Sequence, residues 1–504
     1  MQITRITPAT THTRTHTRMN TGMYSTHKKT IKPIHTLLFF LTCCASNHVI
    51  YARGTSSQTF LFTRPGQQNI ALNQEAGWHN TILDKSKSIA FQVTGFFQRS
   101  RNTHTIQHFF LPLDHSSVVI SSTAPNLDVL PAYLGLPTNF SGVLSIRPYQ
   151  RTSGFIVEAR KNLDNLFPES AIPLFKNTWI QLALPIIFMH NNLHLTQTNV
   201  LNPAASSNTV YDILSAFNNP DWNYLKIHSS QEKRGIAEAR FTLGTRFLSN
   251  GRFQAATYTT VSIPTIKRVP NYYMFEAQPG NNGHWAYIWG INLQTPLSRE
   301  EELPRYSFVL NIESTWLLKR HQSRTFDLIN KQWSRYLPMR LKNQTTNTTT
   351  PGVNVLTHRV LVKPRCTVDF ATGLRAHYKS IEAEFGYGLW AFGGESVYIR
   401  DTAPWVANYG IAGTATNTTA SASTISYLAP DDATFTTIKE TDLDLLSGSM
   451  PATLVHKIHG SVGCSILGEK TDGNFGVGAF IEFPNSPTKA LATWGLWAKL
   501  GCGF

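Results

Sequence analysis

The last thirteen residues of the chain, ATWGLWAKLGCGF, alternate bulky apolar side chains with small or polar ones up to the final position. The apolar side chains share one parity and reach the C-terminus; they are Trp494, Leu496, Ala498, Leu500, Cys502 and Phe504. A period of two residues is that of a β-strand. Because chain ends usually fray, an apolar face that continues to the last residue needs an apolar environment that covers it.

The same alternation recurs along the chain, most clearly in 367–392. Lys379 and Ser380 are predicted to form a two-residue turn there. Antiparallel pairing then places Tyr378 opposite Ile381, and it also brings two basic residues opposite two acidic ones, as Arg375 with Glu384 and His377 with Glu382. A slip of one residue would mix the two faces, so the pattern predicts this register.

A second hairpin is predicted in 239–263, where Asn250 and Gly251 mark the turn. A three-residue loop with a bulge at Gly251 would place Phe247 opposite Phe253. Further alternating segments predict strands at 284–295, 305–318, 453–467 and 473–483, with weaker candidates at 88–98, 115–122, 140–148, 153–162 and 178–190.

Long and short connections alternate between these strands. The stretch that follows Gly393 is about sixty residues long and rich in Thr, Ser, Ala and Gly, which argues against a compact soluble domain. Alternation of this kind places the long connections at one end of a sheet and the short ones at the other.

Residues 1–52 are predicted to be an N-terminal extension and signal peptide, cleaved after Ala45 or Ala52, with Met19 and Met23 as alternative starts. Basic residues precede the short apolar run TLLFFLTCCA, and a lipoprotein anchor is the alternative, although LTCC lacks the small residue expected before the modified cysteine. Without this leader, 39 basic and 30 acidic residues leave a charge of +9. We therefore expect no nucleic-acid partner, and no apolar run is long enough for a membrane-spanning helix.

These features together resemble a Gram-negative outer-membrane β-barrel. The resemblance implies an all-β fold, a single closed antiparallel transmembrane barrel of about 12 to 14 strands with long extracellular loops and short periplasmic turns. It places the barrel in 88–504 and leaves 53–87 as a periplasmic N-terminal segment or partial plug. The C-terminal insertion signal of the class would correspond to Trp494, Leu496, Leu500 and Phe504. A secreted soluble β-sandwich or β-helix is the alternative, with the aromatic residues as ordinary core.

Charged side chains fall on the parity opposite to the apolar one, so they are expected to face the lumen; they are Arg240, Arg246, Asp369, Arg375, His377, Glu382, Glu384, Glu482 and Lys499. In lipid, each Lys or Arg near the midplane would cost about 2–4 kcal/mol. The charges either line a pore and bias permeation, or neutralise one another and brace a filled lumen.

The function expected from these features is an outer-membrane channel or transporter for passive passage of small solutes, in the outer membrane of a Gram-negative-type cell. The alternative is a barrel-anchored surface binding or adhesion protein without conductance. The expected partners are outer-membrane lipid, the barrel-insertion machinery and small solutes, and the sequence leaves the oligomeric state open.

An enzyme is not expected. The segment FLSNGRF resembles the Ser-Asn-Gly segment of outer-membrane phospholipase A, but Phe247 stands where that family has the general base, so Ser249 lacks a local base. A lipolytic enzyme is the less favoured alternative. Catalytic, cofactor and metal sites are all expected to be absent. Cys366, Cys464 and Cys502 are interpreted as small buried hydrophobic residues, not disulfides or ligands.

Overall fold

The structure is a computed structural model in which the predicted leader lies outside the described residues. The described residues are 57–73, 88–123, 128–163, 177–228, 230–250, 253–266, 270–299, 303–342, 349–399, 408–411, 437–466, 468 and 471–504. Among them, no helix is long and apolar enough to cross a membrane.

Twelve antiparallel strands form one closed barrel, in which each strand pairs with the next and the last pairs with the first. In chain order they are β1 (Ile89–Ser100), β2 (Tyr149–Asn162), β3 (Thr178–Asn192), β4 (Glu238–Asn250), β5 (Phe253–Pro264), β6 (Ala286–Pro296), β7 (Arg305–Leu317), β8 (Thr367–Tyr378), β9 (Ile381–Phe392), β10 (Thr453–Ile466), β11 (Asp472–Pro484) and β12 (Thr493–Gly503). A further strand, Ser230–Ile236, pairs with the part of β3 that β4 does not reach.

The C-terminal strand closes the barrel, and Phe504 takes part in the closure. β12 pairs with β1 from Ala90 opposite Gly503 to Ser100 opposite Thr493. The backbone N–H of Phe504 donates to the carbonyl of Ile89 at 2.8 Å. Closure leaves no strand edge within the barrel, which is what a bilayer without water requires of a sheet.

The predicted register of the β8–β9 hairpin is confirmed. Tyr378 pairs with Ile381 across the two-residue turn, Arg375 pairs with Glu384 and His377 pairs with Glu382. Lys379 takes the left-handed conformation (φ 55°) that a tight hairpin turn of this kind uses.

The predicted register of the β4–β5 hairpin is wrong. Asn250 pairs with Phe253, so Phe247 is not opposite Phe253. The irregularity lies inside the strand, between Arg246 and Leu248, and the side chains of both Phe247 and Leu248 are exposed. A bulge at this position lets two successive apolar residues face outward, which strict alternation would forbid.

Two of the predicted strands lie outside the barrel. Strand Ser117–Ser121, within the candidate 115–122, and strand Ser141–Ser145, within 140–148, form a small sheet with Thr196–Leu201. The weaker candidate 88–98 is the barrel strand β1, so the barrel has twelve strands, the lower end of the expected range.

The longest connections leave one end of the barrel, which we call the outer end, and the described parts of four of them fold into what we call the outer cap. These connections are 101–148, 193–237, 318–366 and 393–452. Besides the sheet just described, the cap holds strands Arg320–Thr325, Thr357–Pro364 and Glu395–Tyr398; Asp327–Leu328 and Leu443–Asp444; and Pro338–Leu341, Thr350–Pro351 and Tyr409–Ile411. Its α-helices are Thr103–Ile106, Ile213–Phe217 and Gly352–Val355, and its 3-10 helices are Gln107–Phe109, Pro112–Asp114, Pro131–Leu134, Ser334–Tyr336 and Glu440–Asp442.

Close packing inside the barrel gives a first test of the fold. A Cβ added to Gly244 of β4 would lie 2.0 Å from the ring of Trp179, whereas one added to Gly473 of β11 would meet nothing within 4 Å. We expect Gly244→Ala to lower the free energy of unfolding by about 1–3 kcal/mol, because the indole ring is fixed in a packed interior. Urea unfolding in lipid vesicles should show this loss, and Gly473→Ala should leave the midpoint unchanged. Equal midpoints for the two variants would contradict the packing described here.

Candidate functional site

Residues 57–73, which we call the N-terminal segment, lie inside the barrel and under the cap. The segment contains two short 3-10 helices, Gly66–Gln68 and Ile70–Asn73, and has little regular structure otherwise. Most of its side chains are buried. The extended backbone must therefore satisfy its polar groups with the barrel and the cap.

The first part of the segment is bound by the outer cap. Ser57 donates to Asp327 at 3.3 Å and accepts from Arg335 at 3.0 Å, and the Thr59 hydroxyl donates to the Thr325 carbonyl at 2.7 Å. An aromatic contact also binds the segment to the cap, because the guanidinium of Arg324 lies 3.2 Å from the centroid of the Phe60 ring. Phe60 and Phe62 belong to the same apolar cluster as much of the cap.

The second part is bound by charged side chains of the barrel wall. Arg64 forms ion pairs with Asp369 of β8, at 3.4 Å, and with Glu482 of β11. Lys457 of β10 lies 3.6 Å from Asp369 and 3.8 Å from Glu482, and it also donates to Asn69. Two cations of the network thus face two carboxylates, and all four side chains are nearly buried.

A further contact joins the segment to the opposite wall. Gln68 donates to Glu238 of β4 at 3.0 Å and to Asn281 at 2.9 Å. Glu238 also accepts from Ser262 at 3.0 Å and pairs with Arg240 at 2.7 Å. The segment is therefore held from both sides of the lumen.

A cavity of about 90 Å³ lies beside the end of the segment, against Ile70 and Leu72. Its wall comes from strands β1 to β7 and β12, and its charged residues are Glu158, Arg160, Arg240, Glu313 and Lys499. Glu158 accepts from Gln92 at 2.8 Å and from Gln181 at 2.7 Å, and Glu313 accepts from Tyr258 at 2.9 Å. The cavity is polar around most of its wall and apolar where the N-terminal segment and Trp179 meet it.

The outer surface of the barrel is apolar. Large apolar side chains project from it on every strand, among them Phe91, Phe155, Phe241, Leu374, Phe385 and Leu500. Near the outer end, the rings of Tyr287 and Trp316 pack at 5.7 Å, as do those of Phe97 and Trp494. A closed barrel with an apolar wall and an aromatic girdle is built to be surrounded by lipid.

The protein is an outer-membrane β-barrel. Single-chain barrels of this architecture reside in the outer membrane of Gram-negative-type cells, with short turns in the periplasm and long loops outside. The outer cap is accordingly extracellular, and the N-terminal segment occupies the lumen beneath it.

Comparison with solved structures returns outer-membrane barrels. The chain is similar to a COG4313 outer-membrane channel from Pseudomonas putida F1 (6% identity, TM-score 0.35, covering 84% of this chain and 98% of that one). It is also similar to the translocator domain of the autotransporter NalP from Neisseria meningitidis (8%, 0.27, 87% and 94%) and to a FadL homologue of Pseudomonas aeruginosa (9%, 0.27, 90% and 97%). No family model matches the sequence, and no curated protein is similar to it. Likenesses this distant carry no information on what the barrel conveys or binds.

All nine charged residues identified from the sequence lie on the inner parity of the barrel. Asp369 and Glu482 contact the N-terminal segment, while Arg240 and Lys499 line the cavity. Elsewhere on the inner wall, Arg375 pairs with Glu384 at 3.3 Å, Arg246 is buried, and His377 and Glu382 are half-buried near the short turn.

The four residues of the predicted insertion signal lie on the outer face. Leu496, Leu500 and Phe504 are exposed and Trp494 is half-buried against Phe97. Cys464 and Cys502 share this outward parity, and both are only partly buried, as is Cys366. The prediction that these three cysteines are buried is therefore wrong.

Several charged residues of the lumen were not predicted from the sequence. Lys457, Glu158, Arg160 and Glu313 all stand at inward positions of segments that were predicted as strands, so the parity of each segment could have identified them. Arg64 carried no such signal, because the N-terminal segment has no periodicity.

Burial changes the pKa of His284, which lies in the connection between β5 and β6. His284 donates from Nδ1 to the Leu318 carbonyl at 2.6 Å and accepts at Nε2 from Gln322 at 2.7 Å. Burial lowers the pKa of His284 to about 4, with smaller contributions from Arg324 and Arg320. The neutral ring therefore stabilises the fold above pH 6.5, and this contribution is lost as the pH falls towards 4.

The sequence-based prediction of no metal site concerns the whole chain. Within the described residues, no group of three or more His, Cys, Asp or Glu could hold a metal ion. Ser249, the position compared with the phospholipase segment, lies in β4 opposite Gln254 of β5.

Proposed function

We propose that this barrel is a gated channel or transporter for the passive passage of small solutes, in which the N-terminal segment and the outer cap form the gate. The observation that carries the proposal is the polar cavity of about 90 Å³ inside the barrel, next to the end of a segment that is held by polar contacts. A cavity of this size holds several water molecules, so water or the polar end of a small solute can already lie beside the segment.

The chemistry of the lumen supports passage of polar solutes. The cavity wall holds two carboxylates, two guanidinium groups and one ammonium group, which can replace part of the hydration shell of a polar solute. An inert anchor needs no such lining, because side chains that fill a small barrel can do so without charge.

The contacts of the N-terminal segment support gating. Between residues 64 and 69, ion pairs and hydrogen bonds can be replaced by bonds to water when a hydrated path opens. Arg64, Gln68 and Asn69 bind through such polar groups, and the cap contacts of Ser57 and Thr59 are also hydrogen bonds.

The experiment that tests the proposal is single-channel recording of the folded chain in a planar bilayer, after heat-modifiable migration on a gel has shown that it is folded. We expect a mostly closed baseline with brief open steps. Arg375→Ala should shift the ion preference towards cations, because Glu384 then loses its partner in the lumen. A folded barrel without open steps at any voltage, even in the Arg64→Ala variant considered below, would contradict the channel.

The second candidate is a barrel-anchored surface binding or adhesion protein without conductance. It is favoured by the outer cap, which has an apolar cluster of its own that includes Phe326, Met339, Leu356 and Val360. A cap this ordered could present a surface to a partner, and the recordings separate the two candidates directly.

We further propose that the protein is not an enzyme. Phe247 stands where the phospholipase segment has its general base, and its side chain is exposed on the outer wall. Incubation of the folded chain with phospholipid should release no fatty acid. Outer-membrane lipid, the barrel-insertion machinery and small solutes remain the proposed partners.

A further inference from the structure

Five exposed arginines lie close together at the outer end of one side of the barrel. They belong to β1, β2, the residues next to these strands, and the strand Ser230–Ile236, and they are Arg99, Arg101, Arg147, Arg151 and Arg234. The strands concerned are neighbours in the order β1, β2, β3 and Ser230–Ile236, so these residues form one patch, which we call the arginine patch.

The arginine patch borders the lipid-facing wall. Arg99 shares its face of β1 with Phe97, and Arg151 shares its face of β2 with Phe155. Arg234 is directly opposite Phe188, which is 44% exposed on the outer surface. The positive charges therefore lie just beyond the apolar band, at the level where lipid headgroups meet the outer girdle.

Two members of the patch are direct cross-strand neighbours. Arg99 of β1 pairs in register with Arg151 of β2, and His190 of β3 is the next residue in the same row. Like charges in facing positions destabilise a sheet unless an anion compensates them. The described residues place no carboxylate within ion-pair distance of these five arginines; Glu232, in the same row, instead lies 3.9 Å from His190.

Aromatic rings hold two of the guanidinium groups in place. Arg99 lies over the ring of Tyr149 at 5.0 Å, and Arg101 lies over the ring of Phe483 at 4.6 Å. Stacking restricts each side chain while its N–H donors stay free to bind an acceptor. The planar guanidinium group matches the geometry of phosphate oxygens, which it can bind with two hydrogen bonds.

We propose that the arginine patch is a binding site for the phosphate groups of a phosphorylated lipid headgroup in the outer leaflet. The occupant must carry at least two negative charges to compensate Arg99 and Arg151 together, and its acyl chains must lie along the apolar wall below. A phosphorylated glycolipid with two phosphates, such as lipid A, has both properties. This site lies outside the lumen, so it is independent of the proposed channel.

Binding of lipid A to the folded full chain in neutral detergent, followed by native mass spectrometry, tests the proposal. We expect bisphosphorylated lipid A to bind at least about tenfold more tightly than its dephosphorylated form, and Arg99→Gln/Arg151→Gln to remove this preference. The matched control, Lys161→Gln/Lys379→Gln, removes two positive charges near the short-turn end of the barrel and should keep it.

Each remaining outcome is decisive. Equal binding of the two lipid forms by the unchanged chain would overturn the proposal, as would loss of the preference in the control. Competition by inorganic phosphate as effective as that by lipid A would show a site for free phosphate and would overturn the assignment to lipid. Should the double arginine variant fail to fold, Arg147→Gln/Arg234→Gln reduces the same patch and is expected to weaken binding of the phosphorylated form.

Discussion

In single-channel recordings, the fraction of time that the channel is open should be about a hundred times larger for Arg64→Ala than for the unchanged chain. The Arg64 side chain is 8% exposed and forms ion pairs with both Asp369 and Glu482. Each hydrogen bond to a charged group typically contributes about 1.5–3 kcal/mol, Arg64 makes two of them, and each 1.4 kcal/mol changes an equilibrium about tenfold. Even the lower cost therefore shifts the N-terminal segment strongly from its bound to its displaced position.

The two carboxylates would not be left isolated in this variant. Lys457 remains within 3.6 Å of Asp369 and 3.8 Å of Glu482, and water can enter the space that Arg64 leaves. The closed state thus loses its anchor, while the wall of the open lumen keeps a partner for each carboxylate. This is why we expect opening of the gate and not unfolding of the barrel.

Thr63→Ala is the matched control for Arg64→Ala. Thr63 is the neighbouring residue and accepts one hydrogen bond, from Gln150, at 3.3 Å. Its loss should change the open fraction by no more than about tenfold, because one neutral hydrogen bond contributes about 0.5–1.5 kcal/mol. An Arg64→Ala chain that is folded and closes as often as the control would show that this ion pair does not hold the gate.

The register of the wall could be predicted because its cause is local. In the β8–β9 hairpin, both the turn and the alternation lie within 367–392, and lipid selects one parity for apolar side chains. The C-terminal strand is similar, since the pattern that ends at Phe504 reflects the same environment. Parity likewise predicted which charged residues lie on the inner wall.

The N-terminal segment could not be predicted, since its partners are remote in sequence. Arg64 contacts residues 305 and 418 positions away, and no repeating pattern in 57–73 records these contacts. The bulge at Phe247 was missed for a different reason. A bulge breaks the alternation from which the register was predicted. The Asn250-Gly251 pair is typical of a turn with a bulge, so the irregularity was predicted there and not inside the strand.

Removing the Asp327 carboxylate from the outer cap is expected to have a second large effect, on the stability of the cap. We expect Asp327→Ala to lower the free energy of cap unfolding by about 3–5 kcal/mol, because it leaves the Arg335 guanidinium without its partner carboxylate. The Asp327 carboxylate pairs with Arg335 at 2.8 Å and also accepts from the backbone N–H groups of Arg335 and Trp333, each at 3.1 Å. The Arg335 side chain is fully buried, so water cannot take the place of the lost carboxylate.

Hydrogen exchange measured on peptides from 318–342 reports this change directly. Faster exchange is expected there in Asp327→Ala, while peptides from β8 and β9 should keep their protection because the barrel wall is separate from the cap pair. Trp333 lies beside Arg335, so its fluorescence offers a second measurement of the same transition.

The double variant Asp327→Leu/Arg335→Met distinguishes a buried charge from a general loss of packing. Removing both charges eliminates the uncompensated cation, so the double variant should unfold with a smaller loss than Asp327→Ala alone. Ser57, which contacts both side chains, loses its partners in either case. The double variant can regain cap stability while the barrel still opens more often than the unchanged chain. This result would show that the contacts of Ser57 hold the N-terminal segment as well as the cap. If the losses of the single substitutions simply add, the pair is not a coupled unit and the cap is held by its apolar cluster instead.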